Sequence, residues 1–429
     1  MSPASRHLPY FSLAAVQAAQ ERLSSLPFCS AADYVSLNKG VAKRDIDPLF
    51  HMLAIGAYEG RQLFTRENVA RVLCLDGRDD VQGSSSQDRA GTALLTERSS
   101  PFPPATVYVS SLGNVFMNEI AHDLAHDLSC SGIRVSIENE TSALPSRAAL
   151  SIVVAPHEFF WLGRGTTWMR DDVLPNMFVY NTEQLHTPWF AKALLPILAA
   201  KGVLDMSPQV ARLLREAGMR SMHFEPSSSL RTRWLEEADA DHPLFRALPR
   251  DARRIEIDVD EWDNRPIDVS FFGTESSSRE SFFAGNAERL AKWSSFIYYR
   301  RHSRGPIKNS LNDRALTRIA GHVAGYSKIS LNIHRDEFPF FEWHRIVRQC
   351  MASGSVVVSD PCLPHPQLKP GEHYFEEEPR QIPNLIDWLL RDTEGQREAR
   401  RVRDNASEHL KRNGDRRLQV SELLKRLSE

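Results

Sequence analysis

Short apolar segments alternate with amphipathic helical segments along most of this chain, and the alternation occurs in two separate series. The first series covers residues 106–230 and the second covers 267–390. Residues 226–266 are polar and rich in Pro, Ser, Asp and Arg, which predicts an interdomain connection over 231–266. Strands that alternate with helices form parallel sheets covered on both faces, so the pattern predicts an α/β protein with two such domains.

Strands are predicted where apolar and β-branched residues cluster briefly, and helices where apolar residues recur every three or four positions. Phe116, Ile120, Leu124 and Leu128 show the helical repeat most clearly. The predicted strands are 106–111, 134–137, 150–155, 177–181 and 202–205 in the first domain, and 268–272, 295–299, 328–333 and 355–359 in the second.

Three further segments flank the two domains. Residues 1–76 have helical patterning and form a predicted N-terminal helical module. Residues 77–105 contain a Gly-Ser-Ser-Ser run and several prolines, which is typical of a linker. Residues 391–429 are charged and predict a C-terminal helical tail with a stripe of leucines.

Composition and charge exclude some classes of protein. The 429 residues carry a net charge of −2, and the basic residues are spread among acidic ones, so no nucleic-acid partner is predicted. The five cysteines include no CxxC pair, which is typical of reduced thiols in a cytoplasmic protein. The sequence predicts neither a signal peptide nor a transmembrane segment. We expect a cytoplasmic protein, and peripheral contact with the inner membrane stays open.

Ligands of open α/β sheets bind at the carboxyl ends of the strands, so the residues after each predicted strand are the site candidates. Arginines supply the fixed charge that a diphosphate needs, and carboxylates and amides bind ribose and sugar hydroxyls. In the second domain the residues predicted to bind such a nucleotide-sugar ligand are Gly273, Thr274, Arg279, Asn332, His334, Arg335, Arg345, Gln349, Ser353 and Gly354, with Glu342 beside them.

Three of these positions also have a structural alternative. A glycine turn such as the one predicted at Gly273 is common between a strand and a helix where no ligand binds. Arg345 alone fits a surface salt bridge, and Glu342 alone fits an acidic residue placed against a helix dipole. The clustering of polar residues at one predicted strand–helix junction favours a binding site.

The segment 268–390 resembles the donor domain of GT-B glycosyltransferases of the group-1 and spore-maturation-type (CgeB-like) class. The shared order is F-F-G-T, L-N-I-H-R, E-W-H-R, A-S-G and P-G-E-H-Y. The resemblance implies a GT-B architecture, in which two Rossmann-like domains face a cleft, and donor contacts from Glu342 and Arg345. The group-1 pattern has two glutamates eight residues apart, whereas this chain has Phe341 and Gln349 there. Retaining or inverting stereochemistry therefore cannot be carried over.

The first half resembles the same class in Y-N-T-E-Q-L at 180–185 and V-L-D-M-S at 203–207. Residues 31–64 resemble a helical module that accompanies bacterial polysaccharide glycosyltransferases. The alternatives for this module are a recognition role and a plain helical subdomain.

Catalytic groups are expected after the strands of the first domain. His157 and Glu158 directly follow a predicted strand, and a histidine has a pKa suited to removing the acceptor's proton. Glu158 is an alternative base or an orienting group. A purely structural role for His157 is the other alternative. The predicted catalytic residues are His157, Glu158 and Glu342; the predicted acceptor-side residues are Asn114, Glu183 and Gln184.

Other motifs predict little. Asp258 and Asp260 have the D-x-D spacing of metal-dependent transferases but lie in the polar connection, where a solvated segment fits better. His122 and His126 have zinc-ligand spacing, and no third ligand follows nearby. Phosphate-loop, dinucleotide-binding and nucleophile-elbow motifs do not occur.

The sequence therefore predicts a metal-independent glycosyltransferase that uses a nucleotide sugar as co-substrate and no other cofactor. The acceptor is a glycan, a lipid-linked glycan or a protein side chain. Two alternatives stay open: another GT-B-shaped sugar-nucleotide enzyme, such as an epimerase or hydrolase, and a non-catalytic scaffold or regulator of a glycan-assembly complex.

Overall fold

The structure is a computed structural model, and it describes residues 11–43, 45–73, 103–145, 150–225, 235–254, 258–301, 310–335, 347–412 and 417–428. Its contacts divide the chain into two units. The first unit comprises 1–227 together with 416–429, and the second comprises 228–415. Most of the predicted linker 77–105 lies outside the described residues.

The first unit contains a parallel sheet of six strands in the order β2-β1-β3-β4-β5-β6. The strands predicted from sequence are all present. A sixth strand was not predicted, because three residues are too few to show a pattern. The strands are β1 (Ala105–Tyr108), β2 (Val135–Glu138), β3 (Leu150–Val154), β4 (Phe178–Asn181), β5 (Gly202–Asp205) and β6 (Ser221–His223).

Helices cover this sheet and build its core. Asn114 begins the long helix Val115–Cys130, because its side chain accepts the N–H of Phe116 at 3.0 Å. The apolar repeat of this helix is buried against β1 and β3. The other helical elements around the sheet are Pro156–Phe159, Gly165–Trp168, Leu174–Asn176, Pro188–Ala199 and Pro208–Glu216.

The N-terminal module packs on the helix Pro188–Ala199. Phe28 and Phe64 have ring centroids 6.5 and 6.4 Å from that of Phe190, which lies on that helix. The module is therefore part of the first unit. Its helical elements are Leu13–Ser24, Ala31–Leu37, Pro48–His51, the π-helix Met52–Gly56 and Arg66–Val72.

The last helix, Arg417–Ser428, also belongs to the first unit. Val420, Leu423 and Leu424 are buried in the core that contains Leu124 and Leu128. The first unit is thus built from both ends of the sequence.

The second unit contains a parallel sheet of five strands in the order β11-β10-β9-β7-β8. Four of them were predicted, and β11 was not, because it has only two residues. The strands are β7 (Ile267–Thr274), β8 (Ser295–Arg300), β9 (Ser327–Asn332), β10 (Val356–Ser359) and β11 (Phe375–Glu376).

Several helical elements accompany this sheet. The discounted D-x-D residues, Asp258 and Asp260, are exposed and lie outside the strands. No helix in the described part of the chain is both long and apolar enough to cross a membrane. The elements are Glu237–Asp241, Pro243–Arg246, Asp251–Arg253, Trp262–Asn264, Ser277–Gly285, Ala287–Leu290, Leu311–Tyr326, Cys350–Ala352, Ile382–Arg391 and Thr393–Arg412.

The two sheets share one strand order. In each, the first strand lies between the second and the third, so the chain reverses its direction of travel across the sheet beside the first strand. This switch point falls between β1 and β3 in the first unit, and between β7 and β9 in the second. The predicted α/β class with two Rossmann-like sheets is confirmed, and the two switch points are where ligands of such sheets bind.

Candidate functional sites at the two switch points

Glu158 connects the two strands that flank the switch point of the first unit. It follows β3, and its Oε2 accepts the backbone N–H of Asn114, in the turn after β1, at 2.8 Å. Gly113 makes room for it, because a Cβ there would lie 2.5 Å from Glu158 Oε2. Burial raises the pKa of Glu158, and the bond from Asn114 opposes this in part. The sheet therefore holds a half-buried carboxylate of raised basicity at the edge where sheets of this kind bind ligands.

His157 lies directly beneath this edge. Its Nε2 is 3.4 Å from Glu183 Oε1 and 4.0 Å from Glu158 Oε1, and its side chain is 3% exposed. Burial, helped by the ammonium group of Lys192, lowers the pKa of His157 to about 3. The imidazole is neutral at physiological pH, but a base of so low a pKa removes a proton poorly. His157 is better suited to positioning the two glutamates than to acting as the base.

The backbone before His157 is strained. Ala155 has φ +54° and ψ +66°, a left-handed conformation that a residue with a Cβ rarely adopts, and Pro156 follows it. Among the described residues it is the sole non-glycine residue with positive φ. Strain of this kind is concentrated at functional sites, where it turns side chains towards a ligand.

The third polar group of this edge follows β4. The side-chain amide of Asn181 donates to the backbone carbonyl of Glu183 and accepts the backbone N–H of Glu183. These two bonds fix the turn that brings Glu183 to His157. Gln184 lies beside Glu183 with a partly exposed side chain. The backbone carbonyl of Gln184 accepts a hydrogen bond from the hydroxyl of Thr187. The predicted residues Asn114, His157, Glu158 and Glu183 are thus brought together, and Gln184 is next to them in sequence.

Asp205 was not predicted as part of this edge. It ends β5 and is buried, with Oδ2 accepting from Asn181 at 2.8 Å and Oδ1 accepting from the N–H of Ser207 at 2.7 Å. Burial raises its pKa to about 8 in spite of these bonds. The strand-end rule that selected Glu158 points equally to Asp205, whose carboxylate is bonded to Asn181 and Ser207.

Arg279 connects the two strands at the switch point of the second unit. Its Nε donates to the carbonyl of Ile333 at 2.7 Å and its Nη1 donates to the carbonyl of Thr274 at 2.9 Å. Its side chain is buried against Phe271. A Cβ at Gly273 would lie 2.6 Å from Phe271, so glycine permits this packing. Arg279 therefore shapes the edge from beneath.

Asn332 is the last residue of β9 and His334 follows the strand; both are also buried. Asn332 donates to Ser359 Oγ at 3.0 Å, and its Oδ1 has no hydrogen-bond partner among the described residues. His334 is held by Asp360, which bonds its Nδ1 and accepts its backbone N–H at 3.2 Å from both carboxylate oxygens. Asp360 follows β10 and was not predicted, although the same strand-end rule selects it.

Other predicted donor residues lie further along the second unit. Ser353 and Gly354 end a helix and contact Arg265, which donates to the carbonyl of Ser353 at 2.9 Å. Gly354 has φ +76°, and a Cβ there would lie 2.5 Å from Arg265 Nη2. Gln349 is half-buried at the start of the short helix Cys350–Ala352.

Arg335 is exposed at the end of the β9 segment. Glu342 and Arg345, the two residues that the family resemblance places on the donor, lie outside the described residues. Within either unit taken alone, the described residues hold no set of three metal-binding side chains whose ligand atoms all lie within 4.8 Å of one another.

Comparisons with known proteins give a likeness of fold. No protein-family model matches the sequence, and no curated protein matches it. Solved structures similar to the chain include Anabaena HepE in complex with UDP and glucose, at 11% identity and TM-score 0.47 over 75% of this chain and 99% of that one. A glycosyltransferase from Rickettsia africae has 12% identity and TM-score 0.42, over 76% and 99%.

Sucrose-phosphate synthase from Thermosynechococcus elongatus is also similar, at 11% identity and TM-score 0.44, over 76% of this chain and 99% of that one. At such identities and TM-scores these likenesses carry no argument about what this chain binds or does. The chain has two Rossmann-like units, each of which gathers polar side chains at the switch point of its sheet.

Proposed function

We propose that this protein is a GT-B glycosyltransferase, which moves a sugar from a nucleotide-sugar donor to a glycan, lipid-linked or protein acceptor without a metal cofactor. The observation that carries the proposal is the convergence of polar residues at both switch points, with carboxylates in the first unit and amide, imidazole and arginine groups in the second. A transfer between two substrates needs one binding edge for each.

The donor would bind the second unit. Gly273 lies near the carboxyl end of β7, and a short connection leads from there to the N-terminus of the helix Ser277–Gly285, where backbone N–H groups suit a phosphate. Asn332 is buried and donates to Ser359, so it would support this site from beneath. Arg335 and Arg345 would neutralise the leaving diphosphate, and Glu342 and Gln349 would bind hydroxyl groups. Arg279 would support this site through the backbone.

The acceptor would bind the first unit, with Glu158 as the general base. Its raised pKa makes the carboxylate a stronger proton acceptor than an ordinary glutamate. The acceptor hydroxyl would give its proton to Glu158 as its oxygen bonds to the sugar, while the bond from the sugar to the diphosphate breaks. We place this reaction in the cytoplasm, with contact to the inner membrane if the acceptor is lipid-linked.

Thermal unfolding with a panel of UDP-, GDP-, dTDP-, ADP- and CMP-sugars tests the donor site, because a ligand of the folded state raises Tm. We expect one nucleotide family to raise Tm in the presence of EDTA, and the Glu342→Ala and Arg345→Ala variants to lose the shift. Glu288→Ala and Arg254→Ala remove exposed charges of the same unit and should keep it.

The panel is repeated with neutral oligosaccharides present, so that a donor that binds only after its acceptor is also detected. A shift that survives in both Glu342→Ala and Arg345→Ala would reject this donor site. No shift under either condition would reject the transferase and leave the scaffold alternative in its place.

A further inference from the structure

We infer that Trp189 is a stacking platform for a sugar ring of the acceptor, and that the acceptor is a neutral glycan. This inference rests on the proposed function, because it assigns a substrate class to the first unit's edge. Trp189 is in the first turn of the helix Pro188–Ala199, and 44% of its surface is exposed. Its ring centroid is 6.1 Å from that of His157, so it borders the cluster of Glu158 and Glu183.

The indole ring is held in place from one side. Lys192 Nζ lies over it, 4.8 Å from the ring centroid, and also lies 5.7 Å from the ring of Trp161. Trp161 is fixed in turn, because its Nε1 donates to the carbonyl of Lys192 at 2.9 Å and its ring lies 4.3 Å from that of Tyr58. A fixed ring loses little conformational entropy on binding, which distinguishes a platform from a mobile surface side chain.

Tyr58 belongs to the N-terminal module, which gives this module a part in the inferred site. The module packs on the helix that carries Trp189, and the ring of Tyr58 lies against that of Trp161, the second aromatic neighbour of Lys192. The module therefore supports the ring of Trp189 indirectly, through Trp161 and Lys192.

The chemistry of the edge selects a neutral sugar. The electron-rich face of an indole attracts the weakly positive C–H groups on one face of a sugar ring. Glu183 and Glu158 lie within 4.0 Å of His157, whose ring neighbours that of Trp189, and carboxylates accept hydrogen bonds from sugar hydroxyls. Among the described residues, these two carboxylates outnumber the one ammonium group beside the ring, that of Lys192, so the net charge of this edge disfavours a phosphate or diphosphate. A neutral glycan chain therefore fits better than a short lipid diphosphate.

Saturation-transfer NMR with the full chain tests the inference, because it detects weak ligands. The probes are maltotetraose, cellotetraose, mannotetraose and chitotetraose, with farnesyl diphosphate as the charged lipid probe. We expect at least one neutral tetrasaccharide to bind, and Trp189→Ala to weaken it about tenfold. Trp189→Phe keeps an aromatic face and should bind within about threefold of the native chain.

Trp388→Ala is the matched control, since Trp388 is an exposed tryptophan of the second unit. Equal binding by Trp189→Ala and the native chain would overturn the inference, as would binding of farnesyl diphosphate but of no tetrasaccharide, or of no probe at all. Thermal shifts with nucleotide sugars separate the two proposals. Nucleotide binding without glycan binding rejects this inference alone, and glycan binding at Trp189 without nucleotide binding rejects the transferase alone.

Discussion

Glu158 accepts the backbone N–H of Asn114 at 2.8 Å, and this bond joins the segment after β3 to the turn after β1. The carboxylate occupies space that a side chain at position 113 would fill. The position of the proposed base therefore depends on the absence of a Cβ from the neighbouring turn. Gly113 is not among the glycines with positive φ, so its role here is to leave room.

The Gly113→Ala variant should fold and lose activity. Its Cβ would lie 2.5 Å from Glu158 Oε2, and the carboxylate, at the end of a flexible side chain, would turn away and lose its bond to Asn114. We expect a stability cost of about 1 kcal/mol, and a fall in transfer rate of about 100-fold if Glu158 is the base. Thermal unfolding and initial transfer rates measure the two effects.

Gly285→Ala is the control for this variant, because its Cβ would meet no atom within 4 Å. It should leave the rate unchanged. In the native chain the rate should rise with pH through a pKa above the ordinary 4.5, since burial raises the pKa of Glu158 and the ionised form is the base. A folded Gly113→Ala protein with the native rate would remove Glu158 from the mechanism.

The Arg279→Lys variant should destabilise the second unit. The guanidinium donates to two backbone carbonyls, those of Ile333 and Thr274, and one ammonium group cannot replace that fork. Because the site is buried, we expect a loss of about 2–4 kcal/mol in the free energy of unfolding. Urea unfolding followed by circular dichroism measures it, with the exposed Arg254→Lys as the control.

The opposite result for Arg279→Lys would change the role assigned to this side chain. If Arg279→Lys keeps native stability and loses nucleotide binding, the side chain contacts the donor directly and its bonds to the backbone are secondary.

Asp205 should make stability depend on pH. Burial raises its pKa to about 8 in the folded chain, whereas an unfolded aspartate titrates near 3.8. Between these values the folded state binds the extra proton, so the free energy of unfolding should fall as pH rises from 3.8 to about 8. Asp205→Asn cannot ionise and should flatten this part of the profile. Denaturant unfolding at a series of pH values measures the slope, and an unchanged slope in the variant would assign it to other groups.

The fold was predictable from the sequence because buried parallel strands leave strong local signals. Runs such as 150–154 and 356–359 are apolar except for one serine each, which is typical of strands buried on both faces. Strands β6 and β11 have three and two residues, and they exist because a neighbouring strand offers them hydrogen bonds. The local sequence of a strand contains no signal for which other strand will lie beside it.

The site was predictable in outline for a related reason. Parallel strands end at one edge, so residues far apart in sequence, such as Asn114 and Glu158, meet there. The partner of a polar group was not predictable. An arginine after a glycine turn fits a phosphate as well as it fits two carbonyls, and only the packing of Arg279 against Phe271 shows the second arrangement.

The packing of the helix Arg417–Ser428 in the first unit sets an order for folding during synthesis. Val420, Leu423 and Leu424 complete the core around Leu124 and Leu128, yet the whole of residues 228–415 is translated before them. The first unit, although its strands are made before those of the second unit, therefore has an incomplete core until residues 420–424 have been made. Removal of the helix Arg417–Ser428 would expose apolar surface in the unit that is synthesised first, and would leave that unit as the one more prone to aggregate.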